Sequence, residues 1–302
     1  MPRALAMLCL IAAMSITGAN VPLAKLLIAA MPADVLLLLR FVLSSAVLAL
    51  IVRGEPGPTL ISLDARQWAS IAVLGLIGSV LFTWAVLEGV RRTSGASAGI
   101  ILAALPAVIA VAGLLLGERL RRGEIAMIAL AVAGVAMIQG QAVAESESGA
   151  PLEQLAGNVL IGLAVLCEAA FVIVARGISA HMKPLRLSLG VALVSLLACL
   201  PVGASGLARF DAATVEPRMW ALFVWYALTA SIVCTALWYR GVAHVETWAA
   251  GLATAAVPVS ALGVSALVLG EAIAPVQMAG AALVIGAIAI GTLSQRGDDG
   301  SR

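Results

Sequence analysis

Charge is scarce in this chain. Asp, Glu, Lys and Arg together make up 11% of its 302 residues, and aromatic side chains only 4%. A soluble domain is roughly a quarter charged. A water-soluble fold of this length could not coat its surface with so few charges. The net charge of +2 gives no bulk basicity for holding nucleic acid. Only two histidines are present, His181 and His244, so a multi-ligand metal site lacks its usual donors. The four cysteines, Cys9, Cys167, Cys199 and Cys234, lie singly in apolar runs with no C-x-x-C spacing. They read as small packing residues. Nothing in the pattern asks for a cofactor.

What the chain has is apolar length. Hydrophobic residues make up 62% of it, and the mean hydropathy is +1.10. A helix needs ~20 apolar residues to cross the hydrocarbon of a bilayer. Ten runs qualify: Ala4–Ala30, Ala33–Val52, Trp68–Val90, Ser97–Gly117, Glu124–Val143, Leu155–Ile178, Leu185–Leu207, Met219–Tyr239, Trp248–Gly270 and Pro275–Leu293. The fold class expected is an all-α membrane protein. Arg3 before an apolar stretch has the look of a signal peptide, but the run is too long and lacks a cleavage site, so the first span is read as retained.

The two halves of the sequence resemble each other. A shift of 152 places Trp68 on Trp220, Thr83 on Thr235, Ala98-Gly99 on Ala250-Gly251 and Pro106 on Pro258. A shift of 151 places Lys25 on Arg176 and Thr17 on Glu168. Residues 1–143 therefore read as a first repeat of five spans and 155–293 as a second, joined by an acidic linker, 144–154, and followed by a tail, 294–302. Five is odd, so the second repeat must be inverted, and transporters built this way hold substrate between their repeats. With the N-terminus inside, twelve Lys and Arg flank the inner ends of the spans and four the outer ends. The positive-inside rule then makes both termini cytoplasmic.

Three prolines, Pro22, Pro106 and Pro258, fall inside predicted spans, where each removes a helix hydrogen bond. The repeat-related pair, Pro106 and Pro258, is a candidate for paired hinges. Glu168 sits mid-span, where a carboxylate is costly and functional by default. It could be a satisfied buried group, a proton-coupling site or a seat for a substrate ammonium. Lys25 and Arg40 are also within spans but nearer the outer ends, within snorkelling reach. Glu88 and Arg92 are spaced to pair along one helix face. Trp68, Trp220 and Trp248 at span ends fit an interfacial belt. Trp84, Tyr226, Trp238 and Tyr239 lie deeper. Gly95-Ala-Ser-Ala-Gly99 matches G-x-S-x-G, but that elbow needs a strand before it, and this stretch opens an apolar helix.

Taken in order, the motifs resemble a known family. Thr17-Gly-Ala-Asn20 with Lys25, Leu39-Arg40-Phe41, Leu105-Pro106, Leu116-Gly-Glu-Arg-Leu120 and Gly134-Val135 look like the signature of EamA-type members of the drug/metabolite transporter superfamily. Val257-Pro258 and Leu269-Gly-Glu271 repeat part of it. Thr17 stands where tryptophan is common. The resemblance implies ten helices in two inverted repeats and a central cavity lined mainly by spans one, three, four, six, eight and nine. It further implies export of amino acids or related metabolites from the bacterial cytoplasm, with the aromatic amino-acid exporters as the subgroup named. Candidate cavity residues are Asn20, Thr83, Trp84, Glu168, Phe171, Trp238 and Tyr239. Asn20 and Glu168 are expected at the polar end of the substrate, and Trp84 and Trp238 at its side chain. The expected partners are a small-molecule substrate and the lipid bilayer. A multidrug or organic-cation exporter is the second reading, and a membrane enzyme a distant third.

Overall fold

Lipid offers no hydrogen-bond partners, so a chain of apolar runs must satisfy its backbone within helices. The computed structural model describes residues 1–56, 59–140 and 151–299, and among these every long element is helical. Ten helices are long and apolar enough to cross a membrane. They are α1 (Arg3–Ala30), α2 (Ala33–Arg53), α3 (Ala65–Arg92), α4 (Ser97–Leu115), α5 (Arg122–Gly140), α6 (Pro151–Ser179), α7 (Pro184–Leu207), α8 (Pro217–Val242), α9 (Thr247–Leu269) and α10 (Pro275–Asp299). This is a multi-pass membrane protein.

Several helices begin before the predicted runs, and at α3 a polar cap extends the helix. Asp64 accepts from the Gln67 amide at 2.7 Å, and Gln67 Oε1 accepts from the Asp64 amide at 3.1 Å. This reciprocal capping box starts α3 at Ala65, ahead of Trp68. Helix α6 takes in residues 151–154 of the predicted linker, and α10 runs on into the predicted tail. Residues 144–150 of the linker and 300–302 of the tail lie outside the described residues.

The repeats interleave. Helix α2 packs on α7, α5 on α10 and α4 on α9, each helix against its own counterpart. Helix α1 packs on α8 and α9, and its counterpart α6 packs on α3 and α4. Gly18 makes the α1–α9 contact possible: a Cβ there would collide with the Val257 carbonyl and the Ser260 hydroxyl. Pro22 is buried, one turn further along an unbroken α1.

Helices α4 and α9 each break once, at Ala104 and Ala255. There the amides turn to the carbonyls three residues back, Ala104 to Ile101 at 3.1 Å and Ala255 to Leu252 at 3.2 Å. Pro106 and Pro258 follow two and three residues later, so the tightened turns sit next to the missing donors. Both helices end on a glycine with positive φ, Gly117 at 89° and Gly270 at 69°. That conformation is open to glycine and costly for other residues. It accounts for the duplicated Leu-Gly-Glu: the glycine turns the chain, and Glu118 and Glu271 follow it.

Helices α3 and α8 carry the least expected feature. Each contains a π-helical segment, Leu76–Leu81 in α3 and Thr229–Val233 in α8. The shift of 152 superimposes them. Single π turns inside α-helices are frequent at functional sites.

Candidate functional site

The π segments line a central cavity of about 260 Å³. Gly78 and Ser79 of α3 face it with their repeat counterparts Ala230 and Ser231 of α8. One turn on, Thr83 and Thr235 line it too, and each hydroxyl donates to the carbonyl four residues back, Ser79 or Ser231, at 2.7 Å. The pattern Gly/Ala-Ser followed four residues later by Thr was present twice in the sequence and was the one signal that could have located the bulges. Thr17 and Glu168 form another repeat-related pair in the lining, as do Arg40 with Val191 and Phe41 with Ala192.

Of the predicted residues, Thr83, Glu168, Phe171, Trp238 and Tyr239 line this cavity. Phe171 and Trp238 stack with centroids 6.2 Å apart, and Phe171 meets Tyr239 at 6.3 Å. Trp238 and Tyr239 are almost wholly buried, and Phe171 is half-buried against them. Trp238 Nε1 and Tyr239 Oη have no hydrogen-bond partner there, an arrangement that in native proteins calls for an explanation. Glu168 makes no hydrogen bond or ion pair with any described residue.

Other expectations are corrected. Trp84 does not line the cavity. It is 52% exposed and lies in an adjoining groove of about 340 Å³ with Asp34, Leu87 and Cys199. The reason is phase: Phe82 and Thr83 take the cavity side of α3, and Trp84, about 200° round the helix from Phe82, falls outside that arc. Asn20 is buried beside the cavity, not in its lining, and donates to Thr229 Oγ1 at 3.2 Å, holding α1 to the bulge of α8. Spans four and nine do not line the cavity; α2 and α7 do, through Arg40, Phe41, Ser188, Val191 and Ala192. Pro22, Pro106 and Pro258 lie away from it. Trp248 is no belt residue: it is buried, and its Nε1 donates to Glu246 at 2.8 Å.

Arg40 does not snorkel. Its Nε donates to Ser231 Oγ at 2.8 Å and its Nη1 to Tyr226 Oη at 3.3 Å. The guanidinium lies 5.2 Å from the Phe41 ring and 5.4 Å from the Tyr226 ring, within cation–π range. It lines both the cavity and the adjoining groove.

Lys25 and Glu118 belong to a second constellation. Glu118 accepts from the Thr247 amide at 3.0 Å and the Thr247 hydroxyl at 2.8 Å, and it pairs with Arg176. Arg176 also donates to Thr247 Oγ1 at 3.0 Å. This clamp ties the ends of α4 and α6 to the start of α9, at the end of the bundle where α1 begins. Its repeat counterpart is Lys25–Glu271 at the opposite end. There the two side chains are 62% and 52% exposed and 3.6 Å apart. Symmetry-related groups thus form a tight clamp at one end and a loose pair at the other. Glu88 pairs with Arg91 at 3.0 Å and with Arg92 at 2.6 Å, a local matter within α3. Among the described residues the Ser97 side chain of the G-x-S-x-G match bonds to Ser94, whose hydroxyl caps the first turn of α4.

Ten apolar helices in two interleaved repeats, around a buried cavity with a few convergent polar groups, define a membrane transporter. The chain belongs to the EamA-like transporter family, whose model matches it twice, over residues 4–140 and 155–293. It is 32% identical over 295 residues to the uncharacterized transporter YetK of Bacillus subtilis (strain 168), covering 96% of this chain and 87% of that one. A protein of known crystal structure superposes with a TM-score of 0.75 over 96% of this chain and 98% of its own. At 20% identity that likeness shows the shared fold.

Proposed function

We propose that this transporter exports amino acids with apolar or aromatic side chains, or closely related small metabolites, from the bacterial cytoplasm by alternating access. The observation that carries the reading is the composition of the cavity. A carboxylate without an internal partner, Glu168, stands in the same cavity as a stacked apolar wall of Phe171, Trp238 and Tyr239. The first suits an ammonium group and the second an apolar side chain. The volume of about 260 Å³ falls below the ~300–1,000 Å³ of sites for drug-sized ligands, which favours a small metabolite over a multidrug substrate. The organic-cation reading draws on the same carboxylate and aromatic rings, but the Arg40 guanidinium in the same lining repels a cation.

Alternating access draws support from the unequal clamps, since an inverted pair should tighten in turn as the cavity opens to one side and then the other. With the tight clamp at the cytoplasmic end, this conformation is the one closed to the cytoplasm. Binding to purified protein tests the substrate reading: apolar amino acids should raise its thermal midpoint and cationic dyes should not. Stabilisation by the dyes alone would reverse the choice.

Orientation has its own test. A cysteine placed at Ser146 in the acidic linker should react with an impermeant thiol reagent added outside intact cells. One placed after Arg296 should react only once the cells are opened. The opposite pattern would invert the topology and, with it, the direction of export.

A further inference from the structure

The cavity is lined by two ionisable side chains of opposite sign that do not pair with each other. Arg40 has no carboxylate within ion-pair distance among the described residues, and Glu168 has no cation. Intramembrane charges ordinarily pair, because leaving them apart in a medium poor in water is expensive. The fold does not require either charge, since their repeat counterparts, Val191 for Arg40 and Thr17 for Glu168, are neutral and line the same cavity. Each half of the protein carries an ionisable residue at one position where the other half is neutral, and the two are of opposite sign.

Arg40 is also held in one pose. Ser231 and Tyr226 take its Nε and Nη1, and the Phe41 and Tyr226 rings lie close by. Among the described residues Nη2 has no hydrogen-bond acceptor. A guanidinium held through Nε and Nη1 keeps its Nη2 donors to offer to a carboxylate.

We infer that Arg40 selects the substrate's carboxylate while Glu168 takes its ammonium, so that the cavity recognises a zwitterion and discriminates against amines and acids that carry one charge alone. This rests on the amino-acid reading above and sharpens it to the intact α-amino acid. The zwitterion completes two half-made ion pairs at once, whereas a singly charged analogue leaves one buried charge unmatched. The polar end of the substrate thus lies between α2 and α6, and Asn20, bonded to Thr229, is left to brace the wall.

The test is competitive binding to the purified, full-length protein with four probes: phenylalanine, its methyl ester, phenethylamine and 3-phenylpropionate. A charge-assisted hydrogen bond in a dry site corresponds to about tenfold or more in affinity. Wild-type protein should therefore bind phenylalanine at least ~10-fold more tightly than any of the other three. Arg40→Gln should erase the difference between phenylalanine and phenethylamine. Glu168→Gln should erase that between phenylalanine and phenylpropionate. The methyl ester needs no variant, so the inference stays open to refutation if Arg40→Gln fails to fold: an ester bound as tightly as the free amino acid overturns it. Preference for phenylalanine that survives Arg40→Gln unchanged also overturns it while leaving the amino-acid reading standing. Phenethylamine bound as tightly as phenylalanine by wild-type protein removes both.

Discussion

Glu168→Gln should lower transport of an apolar amino acid by about tenfold or more, with the protein as stable as before or more so. The substitution keeps the size of the side chain and a hydrogen-bonding oxygen while removing the charge. The loss follows from one missing charge-assisted bond to the substrate ammonium. The unchanged or raised stability follows from the resting state, in which Glu168 has no internal partner and its burial is a cost. Most changes at buried, bonded positions destabilise, so the combination of lost transport with preserved stability separates a substrate-binding carboxylate from a structural one. Transport assays and thermal unfolding on the same preparation give both numbers. Wild-type transport in the variant would reduce Glu168 to a buried polar group and remove the site from α6.

Glu118→Gln should disturb the conformational equilibrium more than any change at Glu271. The Glu118 carboxylate is the hub of the clamp, with Thr247, its amide and Arg176 all directed at it. It also lies at the first turn of α9, where a negative charge is favoured by the helix dipole. Removing its charge leaves Arg176 partly buried without a carboxylate, and breaking such a pair costs far more than an exposed one contributes. Glu271, half-exposed and 3.6 Å from Lys25, has little to lose. The readout is reaction of Cys234, a cavity-lining thiol, with a reagent supplied from the cytoplasmic face of inside-out vesicles. Glu118→Gln should raise that rate by about tenfold or more, which takes only ~1.4 kcal/mol of the clamp's energy, and Glu271→Gln should leave it nearly unchanged. Equal effects of the two substitutions would mean that the clamps do not report the two faces of an alternating cycle.

Much of the architecture was legible because lipid imposes simple rules. The ten apolar runs, the duplicated Leu-Gly-Glu and the paired prolines are properties of backbone satisfaction and chain turning, and these are written locally. The facing of side chains was less legible. In helices that are apolar nearly all round, no polar stripe marks which side meets protein and which meets lipid. Trp84 was therefore placed in the cavity when it faces the groove beside it. The π segments compound the problem, since an inserted residue rotates everything that follows relative to a regular α-helix. For Arg40 the sequence leaves two readings open. Depth along the helix allowed snorkelling, and only the three-dimensional placement of Ser231, Tyr226 and Phe41 shows that its head is held inward. Asn20 lies next to the cavity as its place in the Thr17-Gly-Ala-Asn20 motif suggests, but its amide is spent on Thr229.

The central claim is that apolar amino acids cross the membrane through this cavity. Counterflow into proteoliposomes loaded with unlabelled amino acid tests it most directly, using labelled phenylalanine or leucine on one arm and a labelled organic cation on the other. The account predicts transient accumulation of the labelled amino acid, no accumulation of the cation, and loss of the amino-acid signal in Glu168→Gln. Accumulation of the cation with none of the amino acid would contradict it.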